Sequence, residues 1–119
     1  MSDKTMITMI ANEDLDTAQY KLVNVDGDNG VKLRVAAGAP GLGILDNKPK
    51  SGEGATVITQ GVTRAFAGAT VTAGQFLTST ASGTFTNATS GQYIMGKSIT
   101  GCASGSLFLL DIQHNGYKG

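Results

Sequence analysis

Few residues in this chain have the chemistry to catalyse a reaction or bind a metal. There is one histidine, His114, and one cysteine, Cys102, beside nine carboxylates and nine basic side chains. A Ser–His or Cys–His hydrolase needs its imidazole held rigidly against the nucleophile. His114 stands in "QHNGYKG", a Gly-containing stretch at the end of the sequence and a poor place to fix a ring. One Cys and one His are too few for a Cys/His zinc site, and a single cysteine excludes an intramolecular disulfide. Cys102, in "TGCASG", reads as a small buried or half-buried apolar side chain. "DGDNG" (26–30) begins like a calcium loop, but Ala37 stands where the bidentate carboxylate belongs, so a hairpin turn is expected. "GAPGLG" (38–43) and "SGEGATV" (51–57) are Gly-rich, yet neither opens a helix or carries Gly-Lys-Ser/Thr, so no phosphate cradle is implied. Asp14 and Asp16 form a carboxylate pair without an apolar pocket to raise a pKa. The expectation is a protein without catalytic residues, cofactor or metal.

The elements that would position any site are short and extended. Candidate strands are residues 5–10, 20–25, 31–36, 42–45, 55–66, 76–80, 84–86, 92–99 and 106–113, rich in Val, Ile, Thr, Phe and Tyr and separated by Gly, Asn and Ser. "VKLRV" alternates, with Val31, Leu33 and Val35 facing inward and Lys32 and Arg34 facing water; with the preceding "VNVDGDNG" it reads as a hairpin. "SLFLLDIQ" (106–113) is apolar on both faces, the pattern of a central or sandwiched strand. Gly61, inside the longest run, predicts a bulge or bend. Only "NEDLDTAQ" (12–19) resembles a helix, with Asn12 as its cap. The fold class is all-β: a small single-domain barrel or sandwich with little helix.

Charge is low and unevenly placed. Charged residues make up 15% of the chain, against about 25% in an average soluble domain, and the formal net charge is zero. Neither nucleic acid nor membrane is implied as a partner: there is no basic patch with interleaved aromatics and no long apolar span. No signal peptide is recognisable, which predicts synthesis in a cytoplasm. Residues 1–28 set Lys4 and Lys21 against six carboxylates, whereas residues 29–64 are basic. The acidic segment is placed to dock on the basic one, or both are simply solvated. Asp46, Lys48, Lys50 and Glu53 crowd into one stretch that reads as a solvated hairpin loop. From Ala65 to Gly96 there is no charge at all. Its Thr, Ser, Gly and Asn can hydrate as an ordinary neutral surface. Alternatively the stretch lies at a subunit interface, whose centre is depleted of charge, and the bulky residues there (Phe66, Val71, Phe76, Phe85, Tyr93) are then the expected oligomer contacts.

A family resemblance rests on "LGILDNKP", "GEGATV", "GATVTAGQFLTS", "GTFTNATSG", "GKSI" and "GSLFLLDIQ". This turn-and-strand pattern over residues 30–113 resembles the decoration, or cement, proteins of tailed-bacteriophage heads; the first 30 residues carry none of it. The resemblance implies a structural virion protein, commonly a homotrimer, bound to the major capsid protein on the outer surface of the expanded head and stabilising it. The alternative is a carbohydrate- or receptor-binding β-module of a head fibre or tail. The chain divides into residues 1–18, an N-terminal arm or edge strand, and 19–119, the β-rich decoration domain. If the first segment is an arm, Met6, Ile7, Met9 and Ile10 lie along the capsid while Glu13, Asp14 and Asp16 meet its basic groups; otherwise "TMITMI" pairs at home as a barrel strand.

Overall fold

Short runs of β-branched and aromatic residues between glycines form all nine expected strands in the computed structural model, which describes residues 5–33, 35–114 and 116–118. They are β1 (Thr5–Ala11), β2 (Leu22–Val25), β3 (Gly30–Lys32), β4 (Gly43–Leu45), β5 (Gly54–Phe66), β6 (Phe76–Ser79), β7 (Phe85–Asn87), β8 (Gly96–Ser98) and β9 (Leu107–Ile112). Hydrogen bonding runs in the order β1-β3-β2-β4-β5, and β1 also pairs with β5, closing a five-stranded barrel. The sheet continues as β5-β9-β8-β6-β7. The bridge between Ala67 and Phe85 ties the far end of this second sheet back to the residues after β5.

β5 belongs to both parts because it bends at Gly61. Before that residue it pairs with β1 and β4; from Gly61 onward it pairs with β9. Gly61 has φ +104°, a conformation that L side chains rarely adopt, so the expected bend is present and glycine makes it possible.

Three barrel strands are apolar on both sides. Val23, Leu45 and Val57 face into the barrel with Ala11, Leu15, Ala18, Val31 and Ala55. Their chain neighbours Leu22, Ile44 and Ile58 face outward, where Phe85, Phe108, Leu110, Ile112, Leu77 and Met95 of the second sheet cover them. The period-2 alternation of a strand therefore feeds two cores through one wall. The approach is tight: a Cβ on Gly43 would lie 2.4 Å from the carbonyl oxygen of Ile58.

The expected helix over 12–19 is absent. Its amides find distant acceptors instead: Asn12 donates to the Val31 carbonyl (3.0 Å) and Leu15 to the Pro49 carbonyl (2.8 Å). Leu15 and Ala18, 1% and 2% exposed, join the barrel core. Packing of those two side chains overrides a weak local preference. The "VNVDGDNGVKLRV" hairpin forms, with Asn24 opposite Lys32 and Val25 opposite Val31. Its inward residue Val31 is buried, and Leu33 and Val35 pack at the margins of the two cores; Arg34 lies outside the described residues. Of the two alternatives for "TMITMI", the fold has home pairing, with β1 in register against β5 from Met6–Ile58 to Ile10–Gly54.

Candidate interaction site

The acidic segment does dock on the chain's own middle, through backbone amides. Glu13 Oε2 accepts from the Leu33 amide (2.8 Å) and Asp14 Oδ1 from the Ser51 amide (2.9 Å). The Gly52 amide donates to the Ala11 carbonyl, and the Ala11 amide to Glu53. The 46–53 loop is thus a hairpin connection fastened to the barrel end. Asn47 braces it, donating to the Gly54 carbonyl and accepting from the Thr56 amide, both at 3.0 Å. Lys48, Lys50 and Glu53 stay exposed. The one ion pair among the described residues joins Lys32 to Asp26, 3.7 Å, beside the β2–β3 turn.

None of the candidate chemical groups gathers into a reactive site. Cys102 is half-buried against the second core, its backbone pairing reciprocally with Val71 (2.9 Å each way). Burial pushes its thiol pKa up, away from the thiolate a nucleophile needs. His114 is exposed, 6.2 Å from the Tyr93 ring, which also meets Tyr117 edge-on at 5.2 Å. The tail is fixed here: the Lys118 amide donates to Gln92, and the Ile94 amide to Gly116.

The outward face of the second sheet is different. β9 alternates strictly: Phe108, Leu110 and Ile112 are buried while Leu107 and Leu109 remain 39% and 37% exposed. Cross-strand register sets Phe66 beside Leu107 and Arg64 beside Leu109, and lines up Val62, Asp111, Lys97 and Phe76 in one row. Ile99, 48% exposed, donates its amide to Leu109. Phe76 is 44% exposed, with the Lys97 ammonium 5.9 Å from its ring centre. Two shallow grooves flank Leu107. One, of about 240 Å³, is lined by Arg64, Thr100 and Leu109; the other, of about 270 Å³, by Asp16, Tyr20, Lys48 and Phe66. Open, contiguous apolar faces of this kind are where proteins meet partners, ligands or membranes.

A family model for phage cement proteins matches residues 1–110. The chain belongs to the phage cement protein family. The match takes in the first 30 residues, which showed none of the recognised pattern. In three dimensions the cement protein is similar to the head fibre gp8.5 N base of bacteriophage phi29, with TM-score 0.74 and 17% identity over 98% of this chain and 100% of that one. At that identity the likeness is one of fold. No curated protein sequence matches it.

The residues singled out from the sequence fall into three groups. Along β1, Met6 (54% exposed) and Ile10 (39%) face out, whereas Ile7 and Met9 pack against the barrel core, so home pairing leaves only half of that apolar set on the surface. Glu13 and Asp14 are engaged as described, and Asp16 stays exposed. Among the bulky residues of the charge-free stretch, Phe66 and Phe76 reach the open face. Phe85 and Val71 lie in the cement protein's own core, 0% and 3% exposed, and Tyr93 packs at its edge. Leu107, Leu109 and Ile99 were missed as surface residues. The signal was present in "SLFLLDIQ", whose second apolar face pointed to a covering layer that the described residues do not supply.

Proposed function

We propose that this cement protein binds the outer surface of a phage head as a trimer and stabilises the expanded capsid, with the major capsid protein as its partner. It acts by contact alone. The observation that carries the reading is the second sheet's outer face, where Leu107, Leu109 and Phe76 in paired strands, and Ile99 just after β8, are each more than a third exposed. Burying such a face in an assembly returns roughly 25 cal/mol per Å² of apolar surface. A second, smaller apolar set lies on the barrel: Met6 and Ile10 of β1, 54% and 39% exposed. Met6 and Ile10 lie four positions apart on β1 and so on one face of it, the outward face that Ile10 shares with its partner Gly30. This side is the head contact in the proposed reading. Three such contacts on one trimer act together, so a weak single contact suffices for firm attachment.

The test mixes purified protein with undecorated expanded heads and follows co-sedimentation, then challenges the heads with heat or chelator. Decoration that raises the temperature of head disruption supports the reading; failure to co-sediment at micromolar protein overturns it. Met6→Asp with Ile10→Asp is expected to abolish decoration while the free protein melts as before.

A further inference from the structure

The open sheet face carries its own complement. Its two grooves share Leu107 as a common wall, and they differ in the charge they present. The first has Arg64, exposed on β5 with no carboxylate partner among the described residues. The second has Asp16, also exposed and without a basic partner among the described residues. Lys48 lines that second groove too, so what the groove offers a guanidinium is the local Asp16 carboxylate rather than a net field. The remaining charges of the face already have company: Lys97 and Asp111 are cross-strand partners. The face is thus apolar at its centre, with the Arg64 guanidinium in one groove and the Asp16 carboxylate, beside Lys48, in the groove that shares the Leu107 wall. That is the arrangement of a surface able to receive a copy of itself.

Resting on the trimeric reading above, we propose that this face is the contact between copies of the chain and that it closes a three-membered ring head to tail. The Arg64 groove of one copy receives the Asp16 groove of the next. Each copy then uses both grooves, one toward each neighbour, and Leu107, Leu109 and Phe66 lose their contact with water. Contacts of this heterologous kind form closed rings when the rotation between copies closes. The same assignment accounts for β9, whose two-sided apolar pattern is that of a strand covered on both faces. A second copy supplies the missing layer.

Charge exchange tests the contact and its direction. Arg64→Glu sets carboxylate against carboxylate in every contact, and Asp16→Arg sets guanidinium against guanidinium. Each is expected to raise the concentration at which trimers dissociate by at least about tenfold. The double variant, with the two charges exchanged, is expected to recover the parent value. Mixing the two single variants is the decisive arm. In a two-fold dimer each variant satisfies the other and assembly returns in full. A head-to-tail ring of three built from two kinds of copy always keeps one contact between like copies while the other two are matched, so mixing recovers assembly only in part. Sedimentation velocity reads all four samples, and circular dichroism confirms that each is folded. Single variants that remain trimeric at parental concentrations overturn the contact and leave the trimer standing. A parent protein that is monomeric at every concentration overturns the trimer and this contact with it. Full recovery on mixing overturns the head-to-tail arrangement. Single variants that stay trimeric but no longer decorate heads assign the face to the capsid and overturn the proposal. Leu109→Lys, at an exposed position, adds a charge-independent check: it is expected to give folded monomer.

Discussion

Two sheet faces in this protein have nearly the same composition and opposite fates. The outer side of the barrel wall, Leu22, Ile44 and Ile58, is fully buried because the second sheet lies over it. The outer side of the second sheet, with Leu107, Leu109, Ile99 and Phe76, has no layer above it among the described residues. Both arise from the same cause, strands whose alternate residues are apolar on each side, and only the first is completed within the chain. Local pattern therefore specifies that a face be covered without specifying what covers it. A face the chain covers is a matter of folding; a face it leaves open is a matter of assembly. Changes on the two should separate into effects on melting and effects on oligomer formation.

The largest expected effect comes from removing residues 2–11. β1 closes the barrel by pairing with both β5 and β3, and without it the β3 and β5 edges are left unpaired and the core around Val57 opens to water. Cooperative thermal unfolding, followed by circular dichroism, is expected to be lost; a truncated protein that melts like the parent would show that the closed barrel is unnecessary to the covered wall. Next comes a matched pair. Ile58→Ala leaves a cavity between the two cores and is expected to cost about 2–5 kcal/mol, a fall in Tm on the order of 10 °C. Leu107→Ala with Leu109→Ala is expected to cost the isolated chain less than about 1 kcal/mol, while sedimentation shows weakened self-association. Equal losses of Tm in dilute protein would erase the distinction between the faces. Smaller and opposite in sign is Thr78→Val. The Thr78 hydroxyl is fully buried with no hydrogen-bond partner among the described residues, a cost that valine removes. A gain of about 1 kcal/mol in chemical denaturation is expected, and a loss would show that the hydroxyl has a partner.

Much of the fold was legible in the sequence because strands and turns are local. The nine strands, the hairpin at 26–30 and the bend at Gly61 each follow from a few adjacent residues: β-branched alternation, an Asp-Gly turn, and a glycine where φ must be positive. What failed was tertiary. "NEDLDTAQ" has a helix's opening residues, yet Leu15 and Ala18 gain more by entering the barrel than one or two helical turns return. The charge-free stretch was a blunt guide to contact surface because cores and interfaces exclude charge alike. It selected Phe66 and Phe76, which reach the open face, together with Phe85 and Val71, which fill the interior. The sharper clue was the alternation in β9: a strand apolar on both sides with no layer over its outer side among the described residues. Arg64 and Asp16 lie 48 positions apart, and no spacing rule would have joined them; the fold gives their two grooves a common wall, Leu107.

The smallest expected effect concerns Cys102, which stands at the seam between the two faces. Its side chain packs against the covered core, while nearby Thr100 lines a groove on the open one. Its backbone is held by Val71, and its thiol lies 3.6 Å from the Ser106 carbonyl oxygen, a weak donor contact. Nothing in this setting asks for a thiol: a hydroxyl can make the same contact, and a methyl group can fill much of the same space. Cys102→Ser and Cys102→Ala are therefore expected to fold, to cost no more than about 1 kcal/mol, and to keep both self-association and head binding. Because burial raises the thiol pKa, Cys102 at mildly alkaline pH holds less thiolate than an unburied cysteine, and its alkylation by iodoacetamide is expected to be slower than that of a cysteine in a short peptide. Rapid alkylation would mean that the loop opens and that the seam is exposed. Loss of trimers in a variant that still folds would extend the contact between copies beyond the Leu107 face, onto the side of the molecule where Val71 and Cys102 pair.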